Sequence, residues 1–330
     1  MTDGWTLAFA DDLTGALEVG AAFRATVVTE AERAPALGRA MVLDTESRHL
    51  SPAAAAARVA AGAMALRGRT PSLIFKKTDS TLRGNIAAEL RALCEVWPDR
   101  QVIYAPAYPQ LGRTVMAGHL LVEGVPVHLT AFGQDALNPV RSSRVADVLG
   151  TLPVEIVDGE TVADLRTVAS RIVASPQQVI AAGPAGLARE LGELAGAITP
   201  SHWPRLRRCL VVNGSRHPAS ATQVAFAQSQ GCLGDGWELI EYISPLAGPA
   251  RAQALGLAVR ERLDGVDGLI VFGGDTAYGI QQALGGPAMT ALGEVLPGVP
   301  VSSTQELHWV TKAGGFGPPS LLCDLRQKLT

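Results

Sequence analysis

KKTDSTLRGN, residues 76–85, is the stretch that indicates the fold of this chain. The residues before it, Ser72–Phe75, are apolar and β-prone, and residues 86–93 carry apolar side chains at helical spacing. The stretch therefore predicts the carboxyl end of a buried strand that leads into a helix. In open α/β sheets this edge is where ligands bind. A helix cap would explain only Asp79 or Ser80. Because the run also contains three cations and an amide, we expect it to form part of a binding site.

Strand and helix patterns alternate on both sides of this run. Alternation of this kind predicts a mostly parallel, doubly wound sheet. The expected strands are Trp5–Ala10, Thr26–Thr29, Ala40–Asp44, Leu73–Lys76, Gln101–Ala105, Val154–Val157, Gln178–Ala182, Cys209–Asn213, Glu238–Ile243 and Gly268–Phe272. The expected helices are Leu13–Arg24, Ser51–Leu66, Ile86–Leu93, Val162–Val173, Pro184–Ala195, Pro218–Gln230 and Gly248–Leu263.

The pattern changes between Thr114 and Thr130. Leu120–Val122 and Val125–Leu129 flank Glu123–Gly124, and this arrangement predicts a β-hairpin laid on the sheet. An exposed hairpin of this kind is a candidate surface for a homodimer.

The segment TPSHWPRLRR, residues 199–208, interrupts the alternation with two prolines and a basic cluster, so we interpret it as a linker. It divides the chain into expected domains at 1–203 and 204–330. The predicted fold class is α/β, with two domains built on mostly parallel, doubly wound sheets. The N-terminal domain carries the extra β-hairpin.

The composition indicates a cytoplasmic protein that acts on a small molecule. The net charge of −3 and the aromatic content of 5% argue against nucleic-acid binding. The sequence has no run of 18 apolar residues and no basic region ahead of an apolar stretch, so we expect neither a membrane span nor a signal peptide. The four cysteines lie far apart without CxxC spacing, which suits a reducing cytoplasm rather than a disulfide framework or a zinc site.

The segment ADDLTGA, residues 10–16, follows the first predicted strand directly. Two adjacent carboxylates repel each other unless a hydroxyl, a cation or a metal uses them. Asp12 alone would serve as a helix cap, but that interpretation leaves Asp11 unexplained. We therefore expect both acids to take part in function.

Two further strand ends carry polar groups. Asp44–Arg48 follows the third strand, where a solvated loop and a functional role are equally good interpretations. APAYPQLGRT, residues 105–114, follows the strand at Gln101, and Arg113 is a candidate clamp because guanidinium binds carboxylates bidentately. Carboxylates and amides for hydroxyl groups, together with cations for an acid group, suit a small hydroxyl-rich acid.

The second half of the chain has three glycine-rich segments instead. Asn213–Ser215 and Gly273–Ala277 each end a predicted strand and lead into a helix, and TKAGGFG at residues 311–317 adds a lysine. Glycine lets the backbone approach a phosphate, and a helix N-terminus supplies N–H donors. Three such loops in one domain indicate a site for the phosphates of a nucleotide.

Several common nucleotide and hydrolase motifs are missing from the sequence. It has no GxxxxGK[ST], no GxGxxG after the first strand, no protein-kinase signature, no HExxH and no GxSxG. A P-loop enzyme and a dinucleotide-dependent oxidoreductase are therefore disfavoured.

The sequence resembles the four-carbon acid sugar kinases. The matching runs occur in the family's order and cover nearly the whole chain. They are ADDLTGA (10–16), KKTDSTLRGN (76–85), APAYPQLGRT (105–114), NGSRHPASATQ (213–223), GGDTA (273–277) and KAGGFG (312–317). The resemblance implies an N-terminal domain that binds the acid sugar and a C-terminal domain that binds ATP. It also implies transfer of the γ-phosphoryl group, with Mg²⁺, to the terminal hydroxyl of threonate, erythronate or a 3-oxo-tetronate.

The resemblance assigns site residues by position. It implies that Asp11, Asp12, Thr14, Lys76, Asp79, Ser80, Arg83 and Asn85 line the sugar site. It implies that Ser215, Gly273, Gly274, Asp275, Thr276, Lys312, Gly314 and Gly315 hold the nucleotide. Asp12 or Asp11 would accept the proton of the sugar hydroxyl, and Lys76 or Lys77 with Arg83 would pair with the substrate carboxylate. The metal ligands stay unassigned.

Two departures from the family pattern concern the second half. The stretch between Ser215 and Gly273 is short, and Arg216–His217 stands where relatives carry smaller, hydroxyl-bearing residues. These departures leave a non-catalytic acid-sugar sensor with a degenerate nucleotide domain as the alternative function.

Overall fold

The computed structural model describes residues 5–33, 38–135, 137–197, 202–241, 246, 248–304 and 307–330. The chain divides into two units, Met1–Ile198 and Thr199–Thr330. The first three residues of the expected linker 199–208 lie outside the described residues, and its described part contains no helix or strand.

Parallel strands form the main sheet of the first unit. The strands of this unit are β1 (Thr6–Ala10), β2 (Thr26–Val28), β3 (Ala40–Asp44), β4 (Leu73–Lys77), β5 (Gln101–Tyr104), β6 (Arg113–Met116), β7 (His119–Val122), β8 (Val125–Pro126), β9 (Val154–Ile156) and β10 (Val179–Gly183). The main sheet has the order β2-β3-β1-β4-β10-β5-β9, and each of its pairings within the described residues is parallel. All residues of β3, β4 and β10 are buried, as expected for strands covered on both faces.

Helices cover both faces of this sheet. They are α1 (Leu13–Phe23), α2 (Pro52–Leu66), α3 (Ile86–Val96), α4 (Val145–Leu149), α5 (Val162–Ala174) and α6 (Ala185–Leu194). Helix α6 packs against α1 and α5, whereas α2 packs against α3. The chain runs from β1 to β2 in one direction along the sheet and from β3 to β4 in the other, and right-handed crossovers then place α1 and α2 on opposite faces. The predicted doubly wound α/β fold is confirmed.

The starts of α1 and α2 follow local capping chemistry. The Asp12 side chain accepts the Gly15 amide at the start of α1. Ser51 caps α2, with Pro52 at the first helical position. These caps explain why α1 and α2 begin directly after their loops.

The predicted hairpin is present as part of a three-stranded antiparallel sheet, β6-β7-β8, which we call the arm (residues 113–126). Its turns, at Ala117–Gly118 and Glu123–Gly124, have positive φ at both central residues. Such turns match the twist of two-residue hairpins. The arm has one strand more than expected, β6, and β8 ends at Pro126 rather than at Leu129.

The strands of the second unit form a mixed parallel and antiparallel arrangement. Its strands are β11 (Cys209–Asn213), β12 (Trp237–Glu241), β13 (Gly268–Phe272), β14 (Met289–Leu296), β15 (Val299–Ser303) and β16 (His308–Lys312). Its helices are α7 (Pro218–Ser229), α8 (Gly248–Arg260), α9 (Gly274–Ala283) and α10 (Leu321–Leu329). The order is β12-β11-β13-β16-β15-β14, in which the first four strands are parallel and β15 runs antiparallel to both neighbours. The sequence pattern predicted β11 to β13 but not β14 to β16. Residues 242 and 243 of the expected strand Glu238–Ile243 lie outside the described residues.

The cysteine expectation is wrong for one pair. Cys232 and Cys323 form a disulfide across 91 residues, with Cα atoms 5.3 Å apart. Cys232 follows α7 and Cys323 lies in α10, and these two helices pack against each other. The fold therefore brings together thiols whose spacing carries no signal, while Cys94 and Cys209 are free.

Among the described residues, no helix combines the length and apolar character that a membrane crossing requires.

Candidate functional site

The polar segments of the first unit converge because their strands are neighbours. Strands β3, β1 and β4 lie side by side and parallel, so their carboxyl ends share one edge. Asp11–Asp12, Asp44–Arg48 and Thr78–Asn85 follow these three strands. This edge is where an open sheet binds ligands.

Arg48 is the centre of this cluster. Its guanidinium donates two hydrogen bonds to Asp11 and two to Asp12, each of 2.8 Å. Burial alone would raise the pKa of Asp11, but the charges of Arg48, Lys76 and Lys77 outweigh it and lower the pKa to about 2. Asp11 is therefore held as a carboxylate.

Asp12 has two structural partners at once. Its Oδ1 accepts the Gly15 amide at 3.0 Å and a hydrogen bond from Arg48. The side chain of Asp12 is 16% exposed, whereas that of Asp11 is 3% exposed. The capping interpretation of Asp12 holds, but it describes only part of what the residue contacts.

Asp79 organises the turn after β4. It accepts hydrogen bonds from Arg83 Nη2 at 2.7 Å, from the Thr81 amide at 2.9 Å and from the Thr81 hydroxyl. Burial raises the pKa of Asp79, but Arg83 and Arg48 hold it well below its ordinary value. Asn85 acts on the neighbouring segment, where its Nδ2 donates to the Ser47 and Leu50 carbonyls.

The two lysines of KKTDSTLRGN point to different partners. Lys76 is fully buried, and its Nζ lies 2.7 Å from Glu89 Oε2 on α3. Lys77 Nζ lies 3.8 Å from Glu18 Oε2 on α1. Lys76 therefore contributes to a buried ion pair, and its role as a ligand of the substrate stays a prediction.

Three carboxyl groups near this edge have raised pKa values. Burial raises the pKa of Glu18 to about 7, although Lys77 lowers it. Burial likewise raises the pKa of Asp44 to about 7 and that of Glu46 well above its ordinary value. Glu46 Oε1 accepts the Leu13 amide at 2.9 Å, at the start of α1. The edge thus combines carboxylates whose pKa is lowered, Asp11 and Asp79, with carboxyl groups whose pKa is raised by burial.

Arg83 is also in contact with the segment after the arm. Its Nη1 lies 3.2 Å from Asp135 Oδ2, and its guanidinium lies 5.4 Å from the Phe132 ring centre. Arg113 donates to its neighbour, the Leu111 carbonyl, and its buried Nε has no hydrogen-bond partner. The Thr14 hydroxyl is likewise buried without a partner.

The glycine segments of the second unit also meet at one edge. Strands β11, β13 and β16 are parallel neighbours, so Asn213, Phe272 and Lys312 end side by side. A Cβ on Gly214 would overlap the Thr276 side chain, and a Cβ on Gly314 would overlap Ser215. The close packing of these loops therefore requires glycine.

Two buried polar atoms at this edge are left without a hydrogen-bond partner. Asn213 Oδ1 and Thr311 Oγ1 are buried and have no hydrogen-bond partner. Helices α7 and α9 begin beside them, and Gly273 takes a positive φ of 104° at the start of α9. The two helix N-termini, which present N–H donors at this edge, fit the phosphates of a nucleotide.

Lys312 is buried beside its own loop. Its Nζ lies 3.2 Å from the Gly314 carbonyl and 4.5 Å from the Phe272 ring centre. Burial lowers its pKa to about 7. Asp275 and Thr276 lie in the first turn of α9, as predicted for the GGDTA segment.

The sequence analysis missed two residues of the sugar-side cluster, Arg48 and Glu18. Arg48 lies in a segment that also matched a solvated loop, and its pairing depends on which strands are neighbours. Glu18 lies within a helix and carries no motif. An acid four residues after Thr14, and therefore on the same face of the helix, is the signal that points to it.

Comparison with known proteins finds two matching domain families in this chain. Residues 6–152 match the model of a sugar-binding N-terminal domain, and residues 238–322 match that of a nucleotide-binding C-terminal domain. A D-threonate kinase of Bordetella bronchiseptica is 30% identical over 400 aligned positions that cover 97% of this chain and 96% of the relative. A D-threonate kinase of Salmonella typhimurium is 27% identical, with 96% of each chain covered. The first alignment is longer than this chain, so that relative has segments that this chain lacks.

Solved structures show the same fold. A crystal structure from Salmonella typhimurium LT2 covers 98% of this chain and 99% of its own, with a TM-score of 0.82 at 18% identity. A Bordetella bronchiseptica structure with bound citrate, described as a domain-swapped dimer, covers 99% of this chain and 98% of its own. Its TM-score is 0.56 at 29% identity.

Proposed function

The chain belongs to the four-carbon acid sugar kinase family, and on that premise we propose that it transfers the γ-phosphoryl group of ATP to the terminal hydroxyl of a four-carbon sugar acid. The observation that carries the proposal is the near-complete alignment with a D-threonate kinase. Relatives named D-threonate, D-erythronate and 3-oxo-tetronate kinase set the candidate substrates.

The acid group of the substrate needs a cation that is either accessible to solvent or without a close carboxylate partner. The side chain of Arg83 is 26% exposed, and Lys77 has its nearest described carboxylate at 3.8 Å. We propose that these two residues bind the substrate carboxylate, since guanidinium and ammonium groups both pair with carboxylates. Four further residues are proposed to bind the hydroxyl groups of the substrate or to hold the loops around them: Thr14, Asp79, Ser80 and Asn85.

We assign proton acceptance from the reacting hydroxyl to Asp12 rather than Asp11. Asp11 is more deeply buried, and its pKa of about 2 makes it a weak proton acceptor. Asp12 is the more exposed of the two, and Arg48 and Gly15 fix its orientation. Phosphoryl transfer asks mainly for positioning and charge stabilisation, which a fixed carboxylate next to a guanidinium supplies.

The nucleotide would be held in the second unit. Ser215, Gly273, Gly274, Asp275, Thr276, Gly314 and Gly315 surround the edge that carries the unpaired Asn213 and Thr311 atoms. Mg²⁺ is proposed to accompany ATP, since it usually binds through substrate phosphates with few protein ligands. Within the described residues, no group of three or more His, Cys, Asp or Glu side chains could hold a metal ion.

A coupled ADP-release assay tests the proposal. The protein is assayed with ATP–Mg²⁺ against D- and L-threonate, D- and L-erythronate and their 3-oxo forms. Turnover of one member confirms the kinase and names its substrate. If ATP binds but no member turns over, the substrate class is wrong. If sugar acids bind and ATP does not, the protein is the non-catalytic sensor that the shortened second half motivates.

We also propose that the protein forms a homodimer through the arm. Met116, Val125 and Leu129 expose 48%, 44% and 68% of their surface in or next to it, and exposed apolar clusters mark interaction surfaces. Light scattering measures the molecular mass in solution, and hence the oligomeric state, of wild type and of Leu129→Glu. A monomeric wild-type protein would rule the dimer out.

A further inference from the structure

Helix α7 holds the third glycine loop of the second unit, residues 313–317, from one side. Ser220 Oγ donates to the Gly314 carbonyl at 2.9 Å. Gln223 Nε2 donates to the carbonyls of Phe316, Gly317 and Pro318 at 3.0, 3.0 and 3.2 Å. Both side chains are buried, at 0% and 1% exposure. They are three residues apart and therefore lie on one face of the helix.

Lys312 reaches the same loop from the strand side. Its Nζ donates to the Gly314 carbonyl at 3.2 Å and lies 3.5 Å from Ser220 Oγ. The Gly314 carbonyl therefore receives hydrogen bonds from both the helix and the strand. Burial lowers the pKa of Lys312 because it destabilises the charged ammonium group. Hydrogen bonds to the Gly314 carbonyl and to Ser220 offset part of this cost.

These contacts determine which backbone groups of the loop remain available to an anion. Carbonyl oxygens repel phosphate, and four of them between residues 314 and 318 are bound to protein donors. A loop that keeps its carbonyls engaged in this way presents a surface with less repulsion for a phosphate. Glycine at 314 and 315 allows the backbone itself to form that surface.

Gln223 has a feature that simple packing does not explain. Its Oε1 is buried and has no hydrogen-bond partner, which costs free energy. A Met or Leu side chain of similar size would fill the same space without that cost. The contribution of the amide therefore comes from its donors, which all point to the loop.

We propose that Ser220 and Gln223 are positioning residues for ATP: they hold loop 313–317 in its phosphate-binding shape without contacting the nucleotide. This inference rests on the proposed kinase function. It assigns part of the ATP affinity to the interior face of α7, to two residues that the sequence analysis did not place among the nucleotide ligands.

The test compares Gln223→Met, Ser220→Ala and a matched control on the same helix. Thr222→Ala is the control, because Thr222 is exposed and, among the described residues, its hydroxyl bonds to the Pro218 carbonyl of its own helix alone. ATP binding to the full-length protein is measured by calorimetry, and KM is measured for ATP and for the sugar acid. We expect the ATP Kd and KM to rise about tenfold in Gln223→Met and about threefold in Ser220→Ala, consistent with the loss of one or more hydrogen bonds. The sugar-acid KM should match the control.

The outcomes separate the inference from its premise. If wild type binds ATP and the two variants bind it as tightly as Thr222→Ala, the positioning role is wrong and the kinase proposal stands. Equal rises in the KM values for ATP and sugar acid would also overturn it, because a general loss of structure moves both. If wild type binds no ATP, both proposals fail. Ser220→Ala removes a single hydroxyl, so it carries the test if Gln223→Met does not fold.

Discussion

The two candidate sites of this chain use different chemistry at the same kind of sheet edge. In the first unit, charged side chains contact one another at the strand ends, with Arg48 joining Asp11 and Asp12 and Arg83 binding Asp79. In the second unit, the equivalent edge consists mainly of the backbone of the glycine loops, and Lys312 is buried beside them. A small acid with several hydroxyl groups needs directed charges, whereas a phosphate chain needs closely approaching N–H groups.

This comparison predicts that the sites fail in different ways. Substitutions that change charge should damage the first unit's site, and substitutions that add a Cβ should damage the second. The following tests run from the largest expected effect to the smallest.

Asp12→Asn removes the proposed proton acceptor but retains a side chain that caps helices well. We expect kcat to fall by roughly 10²–10⁴-fold, the usual contribution of general base catalysis, with little change in the KM for ATP. Ser51→Ala is the control, because Ser51 caps α2 and has no place in the site. A kcat within about threefold of wild type, a difference of under roughly 1 kcal/mol, would show that Asp12 is not the base.

Glu18→Gln tests the titrating carboxyl groups of the first unit. The pKa of Glu18 is raised from 4.5 to about 7, so the folded protein holds a proton between these values that the unfolded chain releases. Stability therefore falls as the pH rises through this window, by up to about 3 kcal/mol.

Urea unfolding at pH 5 and pH 8 measures this effect. Wild type should lose stability over that range, and Glu18→Gln should lose less. Glu95→Gln, at an exposed position of α3, should behave like wild type. Parallel pH profiles for wild type and Glu18→Gln would contradict the raised pKa of Glu18.

Arg48→Lys keeps the charge but cannot make four hydrogen bonds to two carboxylates. Lysine and arginine are not equivalent at such a site. We expect kcat/KM for the sugar acid to fall roughly 10–100-fold while ATP binding by calorimetry is unchanged. An equal loss of ATP affinity would show that the effect of Arg48 is not limited to the site of the first unit.

Gly314→Ala tests the backbone side of the comparison. The added Cβ would overlap the Ser215 side chain, so the loop has to move. We expect the KM for ATP to rise about tenfold, or roughly 1.4 kcal/mol, with the sugar-acid KM unchanged. Gly68→Ala is the control, since nothing lies within 4 Å of the added atom. No change in ATP affinity would mean that the loop tolerates a side chain.

The sequence predicted most of the fold because its strands are short buried apolar runs set between amphipathic helices. Strand β4 and helix α3 appeared on either side of KKTDSTLRGN as expected. The antiparallel strand β14 was missed because its residues alternate between buried and partly exposed, and it contains Gly293. Continuous apolar runs identify buried parallel strands, and this criterion does not identify a strand such as β14.

The candidate site was predicted less completely, because pairing between side chains depends on strand order. Arg48 reaches Asp11 only because β3 lies next to β1. The sequence could have predicted that Lys76 and Lys77 have different partners, since successive side chains of a strand point to opposite faces. One of the two therefore had to face α3, where Glu89 binds it. The disulfide left no trace in the cysteine spacing.

The Cys232–Cys323 bond makes most of the second unit a covalently closed ring. The ring contains β12 to β16 with α8 and α9, and both GGDTA and the Lys312 loop lie within it. A protease that cuts once inside the ring cannot separate the two fragments until the bond is reduced. On a gel without thiol the nicked protein should run as one chain, and with thiol as two. A cleavage site inserted inside the ring would therefore leave the two fragments linked by the disulfide. A cleavage site inserted before Cys232 would release its fragment without reduction.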